Sequence, residues 1–250
     1  MTYAYGWRLK FGIVTPSTNT TLEPDLESIR PDGVTNHYAR MTIGNIDTDD
    51  EAGFNAMLRQ VNDSLEAAVD QIMTCEPGHL ILGISGESVW GGGFAAVEAI
   101  RKRILSRSGG VGVTQPADAL PAALEAYGVR KRIAILTPYH PSADKSVREL
   151  VTAMGYEVVK SKHTARPKPT MIAATPESDL RAWLREVDGP EVEAIVQLGA
   201  NFPLGRLADE AERWLGKPVI AINKATYWHA LRRNGILDRR YGHGRLMWEF

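Results

Sequence analysis

The chain has 250 residues, with 29 lysines and arginines against 30 aspartates and glutamates, a formal charge of -1 and a pI of about 6.6. This balance provides no global field to attract nucleic acid or an anionic membrane. No apolar run approaches the roughly 20 residues of a bilayer span, and the N-terminus lacks the apolar stretch of a signal peptide. A single cysteine, Cys75, excludes an intrachain disulfide and a cysteine-based zinc cluster. We therefore expect a cytoplasmic α/β protein that binds neither nucleic acid nor membrane.

Short apolar runs alternate with amphipathic stretches along the chain, which is typical of parallel sheets with crossover helices. The predicted strands cover residues 10–15, 34–41, 78–85, 109–114, 132–137, 156–161, 193–199 and 217–223. The clearest helix is predicted over residues 51–75, where apolar side chains recur at helical spacing. These side chains are Phe54, Met57, Leu58, Val61, Leu65, Val69 and Ile72.

Internal self-similarity indicates a repeat, because three elements recur in the same order. The matched pairs are Phe11 with Ile133 at an offset of 122, Gly86 with Gly199 at an offset of 113, and Thr114 with Asn223 at an offset of 109. The alternative is that the strands of parallel sheets simply look alike. We prefer two pseudo-symmetric α/β lobes, each a mainly parallel sheet flanked by helices.

The repeat also predicts the domain organisation, with a boundary near residues 115 to 132. The expected N-terminal lobe contains residues 1–115 plus about 224–250, and the C-terminal lobe contains residues 116–223. Equivalent loops then follow the strands of both sheets. If the lobes face each other, these loops converge on one cleft, the usual ligand position in open α/β sheets.

The first candidate loop, TPSTNTTLEPD, follows the first strand from Thr15 to Asp25. Ser17, Asn19 and Thr20 belong to a run with four hydroxyl side chains in five positions, more than a helix cap requires. A helix that starts near Thr20 or Thr21 adds its positive end. We favour anion binding over plain capping.

The second candidate loop, TPYHPSADKS, contains Tyr139 and His140 just past the end of a strand. Either side chain can donate a hydrogen bond or transfer a proton. Packing is the alternative for Tyr139, and Ser142 or Asp144 is a candidate cap for the next helix.

The third pair of loops is LILGISGESVWGGG, at residues 80–93, and GANFP, at residues 199–203. Gly86 and Gly199 favour tight turns or close backbone approach to a ligand, and Ser88 and Asn201 add hydrogen-bond donors. Glu87 is the one carboxylate of the first loop, and burial would raise its pKa towards a general-base range. Exposure to solvent, or capping of the next helix, is the equally weighted alternative.

The remaining histidines are weaker candidates. His79 and His163 are expected at the surface, and His229 is expected to be packed or exposed within a helix. The basic loop from Lys162 to Pro169 is expected to be solvated. The chain contains no P-loop, dinucleotide fingerprint, HExxH motif or GxSxG elbow.

Three stretches carry a resemblance to a known family. FGIVTPSTNTTLEPD, ILTPYHPSADKSVRELVTAMGYEVV and GKPVIAINKATYWHALRRNG resemble segments of maleate cis–trans isomerases and arylmalonate decarboxylases of the aspartate/glutamate racemase superfamily. The likeness runs from about residue 9 to 236. It implies two pseudo-symmetric lobes with the active site in the cleft between them, no cofactor, no metal, and homo-oligomers.

The resemblance also implies where catalytic thiols are expected. Racemases and maleate isomerases have one cysteine per lobe, whereas the decarboxylases keep only that of the second lobe. Aligning the strand ends places Gly86 and Gly199 at these two positions. Cys75 precedes its strand and is expected at the opposite end of the sheet.

The binding apparatus implied by the resemblance is largely present. Its carboxylate-binding positions match Ser17, Asn19, Thr20, Tyr139 and Asn223, and Ser88 matches a hydroxyl donor. We expect the strand-end residues Gly86, Thr137, Gly199, Ala200 and Asn201 beside the same substrate.

We therefore expect an isomerase, decarboxylase or related lyase that acts on a small carboxylate through an enolate-like intermediate without a cysteine. Glu87, Tyr139 and His140 are the catalytic candidates. A carboxylate-binding protein that has lost both activity and thiols is the alternative.

Overall fold

The computed structural model describes residues 4–85 and 92–250, which form two four-stranded parallel sheets. The strands of the first sheet are β1 (Leu9–Pro16), β2 (Val34–Met41), β3 (His79–Leu82) and β4 (Val113–Thr114). Those of the second are β5 (Arg132–Thr137), β6 (Glu157–His163), β7 (Ala194–Gln197) and β8 (Val219–Ala221). The spatial orders are β2-β1-β3-β4 and β6-β5-β7-β8. The two sheets therefore repeat one topology, which confirms the expected pseudo-symmetric α/β fold.

Helices connect the strands and cover both faces of each sheet. They are α1 (Leu22–Ile29), α2 (Glu51–Asp63), α3 (Leu65–Met73), α4 (Gly93–Arg107), α5 (Pro116–Ala126), α6 (Asp144–Ala153), α7 (Pro169–Ala173), α8 (Glu177–Val187), α9 (Gly205–Leu215), α10 (Ile222–Arg233) and α11 (Arg245–Glu249). A 3₁₀ turn at Pro141–Ala143 precedes α6. Within the described ranges, no helix is both long and apolar enough to span a bilayer.

The helix expected over residues 51–75 is two helices, so that prediction is wrong at its middle. Ser64 separates α2 from α3 with a backbone of φ -99° and ψ 1°. Its hydroxyl donates to the carbonyls of Gln60 and Thr42. Such a bond to the carbonyl four residues earlier competes with the helical ladder and bends the chain. The apolar periodicity runs through the break and hides it.

Strand pairing sets the true offsets of the repeat. Val14 pairs with Leu82 in the first sheet and Leu136 pairs with Gln197 in the second. When β1 and β5 are matched at the predicted offset of 122, so that Val14 corresponds to Leu136, β3 and β7 differ by 115 (197 minus 82). The expected match of Gly86 with Gly199 is wrong by two residues, and the counterpart of Gly199 is Ile84.

The last strands of the two sheets are also offset differently from the prediction. Leu80 pairs with Val113, and Ile195 pairs with Val219, so β4 and β8 differ by 106 (219 minus 113). The expected match of Thr114 with Asn223 is wrong, because Asn223 already lies in α10.

The two sheets share one hydrophobic core, in which Phe11 and Ile13 of β1 and Ile133 and Ile135 of β5 are fully buried. The helices that follow the last strand of each lobe cross to the other lobe. Thus α10 packs against α1, β3 and β4, and α5 packs against α10. Ala117 of α5 shares a small cluster with Leu150 of the second lobe. The division at residues 115 and 224 stays a prediction. It assigns α10 to the N-terminal lobe, and α10 does pack against elements of that lobe.

Candidate active site

A cavity of about 60 Å³ lies where the carboxyl ends of the two sheets approach each other. Its lining comes from the last residue of β1, from the loops after β1, β2, β3, β5 and β7, and from α2 and α7. The lining residues are Pro16, Thr18, Asn19, Ile43, Met57, Val61, Ile84, Pro138, Tyr139, Pro169, Ile172, Gly199, Ala200 and Asn201. None of them in the described ranges is charged. The cavity is therefore an apolar space into which a few hydrogen-bonding groups converge.

Asn19 has two sides with different tasks. Its Oδ1 accepts hydrogen bonds from the backbone N–H groups of Thr21 and Leu22, at 3.0 Å each, and so caps α1. The side chain is buried and also lines the cavity. Its Nδ2 makes no hydrogen bond to the described part of the chain. Capping by the oxygen thus orients the amide so that its N–H₂ group is available to a ligand.

A three-way hydrogen-bonded junction joins the lobes beside the cavity. The hydroxyls of Ser85 and Tyr139 lie 2.8 Å apart, and the Tyr139 hydroxyl is also 3.1 Å from the Ser85 carbonyl oxygen. The backbone N–H of Gly199 donates to Ser85 Oγ at 2.8 Å. Ser85 follows β3, whereas Tyr139 and Gly199 follow β5 and β7. The junction therefore fixes the loop of the first lobe against two loops of the second.

The turn at Gly199 brings backbone close to the cavity. Its φ of +100° is strained for any residue with a side chain. A Cβ placed there would lie 2.5 Å from Cδ and 2.6 Å from Cγ of Pro138. The next residue but one, Asn201, accepts from the N–H of Thr20 at 2.9 Å and donates to the carbonyl of Pro169 at 2.9 Å. These bonds hold the turn between both lobes.

Asn223 lies behind the cavity wall rather than in it. Its Nδ2 donates to Oδ2 of Asp25 and to the carbonyl oxygen of Ala200, both at 2.9 Å. Both amide hydrogens are thus occupied by protein atoms, and the residue is only 4% exposed. Asn223 contacts the cavity through Ala200.

Four other predicted residues surround the site without lining it. Ser17 exchanges hydrogen bonds with the main chain of Ile43, and the Thr20 side chain is exposed. Thr137 is fully buried and accepts from the N–H of Tyr139 at 3.3 Å. His140 Nδ1 lies 2.9 Å from Ser142 Oγ and accepts from the Ser142 N–H at 3.3 Å. His140 thus caps the 3₁₀ turn, and α6, for which Ser142 or Asp144 was the candidate cap, has Ala143 at its N-cap and no side-chain cap.

Gly86, Glu87 and Ser88 lie outside the described residues. Ile84 lines the cavity, and the chain continues into this segment within two residues. The roles predicted for these three residues stay predictions.

Charged side chains of the described residues lie behind the first-lobe wall of the site. Arg40 donates to the carbonyl oxygen of Asn19 at 2.8 Å and pairs with Glu23. Burial raises the pKa of Asp25 to about 6, although the Asn223 hydrogen bond and the nearby Lys224 charge both oppose this shift. The cavity itself is kept free of these charges.

No thiol reaches the cavity, because the one cysteine of the sequence lies at the other end of the first sheet. The carbonyl oxygen of Cys75 accepts a hydrogen bond from Lys10, near the start of β1, at 2.7 Å. Cys75 precedes β3, whereas the cavity follows it, as the sequence predicted. In the described ranges, no group of three histidine, cysteine or acidic side chains is arranged to hold a metal.

Several functional positions escaped sequence reasoning. Thr18, Ile84 and Ile172 line the cavity, and so do Met57 and Val61, which helical periodicity had assigned to the core. Ser85 is 1% exposed and makes the interlobe junction. The signal for Ser85 was its place at the carboxyl end of the predicted strand 78–85.

Neither histidine expected at the surface is exposed, so that prediction is wrong: His79 is buried and His163 is half-buried. His79 is 7% exposed and lies 2.9 Å from the hydroxyl of Thr114 through Nε2. The side chain of His163 is 8% exposed, and its Nε2 lies 2.9 Å from the carboxylate of Asp144. Each imidazole has a polar partner on a neighbouring element, which offsets the cost of removing the ring from water. Sequence alone does not reveal such partners.

The repeated parallel sheets and the cavity between their carboxyl ends define a two-lobed α/β protein with an interlobe site. Residues 11–247 match the arylmalonate decarboxylase family, and the chain belongs to that family. It is 27% identical over 245 residues to the maleate isomerase of Nocardia farcinica, with 95% of each chain covered.

Solved structures share the fold. One is N. farcinica maleate cis–trans isomerase in a cysteine-to-serine variant with a covalently bound succinylcysteine intermediate, at a TM-score of 0.83, 26% identity, and 96% and 98% coverage of this chain and that one. The maleate isomerase of Pseudomonas putida has a TM-score of 0.80 at 20% identity, with 96% and 98% covered. Arylmalonate decarboxylase has a TM-score of 0.73 at 19% identity, with 95% and 98% covered. The expected family is confirmed, whereas the match of Gly199 to a relative's thiol stays a prediction.

Proposed function

We propose that this chain is a cofactor-independent enzyme that binds a small carboxylic acid in the interlobe cavity and forms an enolate-like intermediate there without a thiol. The observation that carries the proposal is the cavity itself. Hydrogen-bonding groups from both lobes converge on an apolar, uncharged space in a chain of this family. Such preorganised donors stabilise a developing oxyanion most strongly where water is excluded.

The donors suit a carboxylate that becomes an enediolate. The N–H₂ group of Asn19 comes from the first lobe. The hydroxyl of Tyr139 comes from the second lobe, and its proton reaches a ligand when it leaves the Ser85 carbonyl oxygen. An ionised group accepts stronger hydrogen bonds than a neutral one, so bonds to the enediolate tighten as charge moves onto its oxygens. This differential stabilisation is what lowers the barrier.

The absence of a thiol favours decarboxylation or proton exchange over maleate-type isomerisation. Rotation about a carbon–carbon double bond requires a nucleophile to add to it, and the covalently bound succinylcysteine intermediate of the Nocardia relative is such an adduct. The only cysteine here lies at the other end of the first sheet. A malonate-type acid requires no covalent nucleophile.

The apolar wall supplies a driving force for that reaction. In a malonate-type acid, one carboxylate is held by the donors and the other faces side chains such as Ile43, Val61 and Ile84. Burying a carboxylate without a partner is costly, and the cost disappears when it leaves as CO₂. The electron pair of the broken carbon–carbon bond enters the remaining carboxyl group. A proton then adds at the carbon, so each turnover consumes one proton.

Glu87 is the proposed proton donor, because it is the one ionisable side chain of residues 86–91, directly after the cavity-lining loop. In an apolar surrounding a glutamic acid keeps its proton to higher pH, as an acid catalyst near neutrality requires. Tyr139 is the second candidate for this step.

The test is to incubate the protein in D₂O with phenylmalonate, methylphenylmalonate and maleate and to follow the products by NMR. We expect the malonates to yield monoacids with deuterium at the α-carbon and maleate to yield no fumarate. Glu87→Gln should lower the rate about a hundredfold or more. Glu98→Gln is the matched control, since Glu98 is an exposed acid in the second turn of α4, the next helix along the chain. An unchanged rate in Glu87→Gln would remove Glu87 from the mechanism.

A carboxylate-binding protein is the second candidate, and the geometry of Gly199 favours it. Pro138 leaves no space for any side chain at this turn, and therefore no space for a nucleophile. Calorimetric titration with phenylmalonate separates the candidates. Binding without conversion or deuterium exchange of any acid would establish the binding protein and refute the enzyme.

A further inference from the structure

Two acidic residues of the TLEPD segment have no place in the proposed carboxylate site. Glu23 and Asp25 lie in the first turn of α1 and do not line the cavity. Each is nevertheless connected, through one other side chain, to the carbonyl oxygen of a residue that does line it. The two connections end on opposite lobes.

The first connection stays within the first lobe. Glu23 pairs with Arg40 of β2, and the same guanidinium donates to the carbonyl oxygen of Asn19 at 2.8 Å. Asn19 carries the amide that faces the cavity. Glu23 thereby secures the first-lobe wall from behind.

The second connection crosses between the lobes. Oδ2 of Asp25 accepts from Nδ2 of Asn223 at 2.9 Å, and the same nitrogen donates to the carbonyl oxygen of Ala200 at 2.9 Å. Ala200 follows Gly199, whose left-handed backbone forms the second-lobe wall. One amide group thus has both hydrogens committed, one to the carboxylate and one to the wall.

The charges around Asp25 come from three further helices. On α10, Lys224 is paired with Asp209 of α9. A polar cleft of about 460 Å³ beside Asp25 is also lined by Arg206 of α9 and Glu177 of α8. Lys224 favours the ionised form of Asp25, and Asp209 opposes it. The carboxylate is thus held between opposing influences rather than locked by a salt bridge.

We propose that Asp25 is a positioning residue that, through Asn223, holds the turn of residues 199–201 in the geometry that completes the cavity, and that it does so in its ionised form. A carboxylate is a stronger acceptor than a carboxylic acid. Protonation weakens the bond to Asn223, so that the amide no longer holds the Ala200 carbonyl as firmly. The kinetic consequence rests on the proposed function, whereas the structural consequence does not.

The proposal predicts a titration at the second-lobe wall. Burial raises the pKa of Asp25 to about 6. In ¹⁵N-TROSY spectra we expect the amide resonances of Ala200 and Asn201 to shift with a midpoint near pH 6. The ¹³C carboxyl resonance of Asp25 should share that midpoint in the unmodified protein. Different midpoints, or no shift of the amide resonances of Ala200 and Asn201, would overturn the proposal. Because this test uses the unmodified protein, it does not depend on whether a variant folds.

Matched variants test the connection. Asp25→Asn keeps the shape and one acceptor oxygen but cannot ionise, so the titration of Ala200 and Asn201 should disappear while the melting temperature stays near that of the unmodified protein. Glu23→Gln alters the same helical turn but belongs to the other connection, so the titration should persist. A titration that survives Asp25→Asn, or vanishes in Glu23→Gln, would contradict the assignment to Asp25.

The kinetic arm compares kcat/KM of the unmodified protein and Asp25→Asn for the same malonate across pH 5 to 8, so that ionisation of the substrate cancels. We expect an about fivefold to tenfold loss at pH 7.5, and loss of the acid limb near pH 6. Unchanged kcat/KM and an unchanged acid limb would overturn the positioning role. If no acid is converted, the proposed function fails, and the resonance titration still decides the role of Asp25.

Discussion

The two lobes have the same strand order but different side chains at equivalent positions. With the offset of 115 between β3 and β7, Ile84 corresponds to Gly199 and Ser85 corresponds to Ala200. At these two positions the first lobe supplies the side chains of Ile84 and Ser85, whereas the second supplies the backbone N–H of Gly199 and a turn without a Cβ. Duplicated strands conserve the scaffold, and the loops after them divide the tasks.

A second difference lies inside the sheets. His79 and Thr114 of the first sheet correspond to Ala194 and Ile220 of the second. The first lobe therefore contains a buried hydrogen-bonded pair between β3 and β4, where the second lobe has only apolar packing. This asymmetry predicts that acid affects the first lobe more than the second.

The largest effect is expected where the second lobe excludes a side chain. Gly199→Ala should lower the free energy of unfolding by about 3 kcal/mol or more, because a strained φ and an overpacked contact each cost about 1–3 kcal/mol. Gly216→Ala is the matched control, since Gly216 also has a positive φ, +67°, but no atom within 4 Å of the added Cβ. Urea denaturation measures both. Equal losses of unfolding free energy in the two variants would mean that Pro138 moves aside and that the contact with the added Cβ costs nothing.

The next effect concerns acid and the first lobe. Burial lowers the pKa of His79 from 6.5 to about 4, so the unfolded chain binds a proton more readily than the folded one. The stability contribution is complete above pH 6.5 and should fall by up to about 3 kcal/mol as the pH drops towards 4. Asp25, with its raised pKa, contributes the opposite slope in an overlapping window.

Comparison with a variant isolates the histidine. His79→Gln keeps a polar group for Thr114 but does not titrate, and Asp25 is unchanged in it. Acidification from pH 7.5 to pH 5 should therefore lower the urea midpoint of this variant less than that of the unmodified protein. Identical pH dependence in both proteins would show that His79 is not the sensitive group.

The smallest effect is expected at the junction between the lobes. Ser85→Ala removes the acceptor of the buried Gly199 N–H and one contact of Tyr139. Loss of a partner for a buried donor costs about 1–3 kcal/mol. Ser28→Ala is the control, because its hydroxyl is exposed and bonds only locally on α1, to the Asp25 carbonyl. A loss no larger than that of the control would show that the junction does not stabilise the fold.

The fold was predictable because its signal is local and repeated. The apolar runs placed all eight strands, and the family likeness implied two facing lobes. The offsets after β3 and β4 were wrong because a glycine in a loop carries no register, whereas strand pairing does. The break at Ser64 was missed because apolar spacing continues across it.

The site was less predictable, because it depends on contacts between distant residues. Asn19 and Tyr139 line the cavity as expected. Asn223 was expected to bind substrate, but its partner Asp25 lies 198 residues away in sequence and occupies its amide. Likewise, an exposed hydroxyl run suggested several ligand donors, and Ser17 proved to hold the main chain instead. Hydrogen-bond partners of this kind follow from tertiary packing, not from residue type.

The position of Cys75 has a consequence for oxidative chemistry. Burial raises the pKa of its thiol, and Sγ contacts the carbonyl oxygen of Ile72 at 3.2 Å. A thiol that keeps its proton reacts slowly with peroxide, and here any sulfenic acid would form at the amino end of the first sheet. The described lining of the interlobe cavity contains no cysteine sulfur. Oxidants that silence a thiol-dependent active site find no thiol in this cavity, whose lining includes the thioether of Met57 instead.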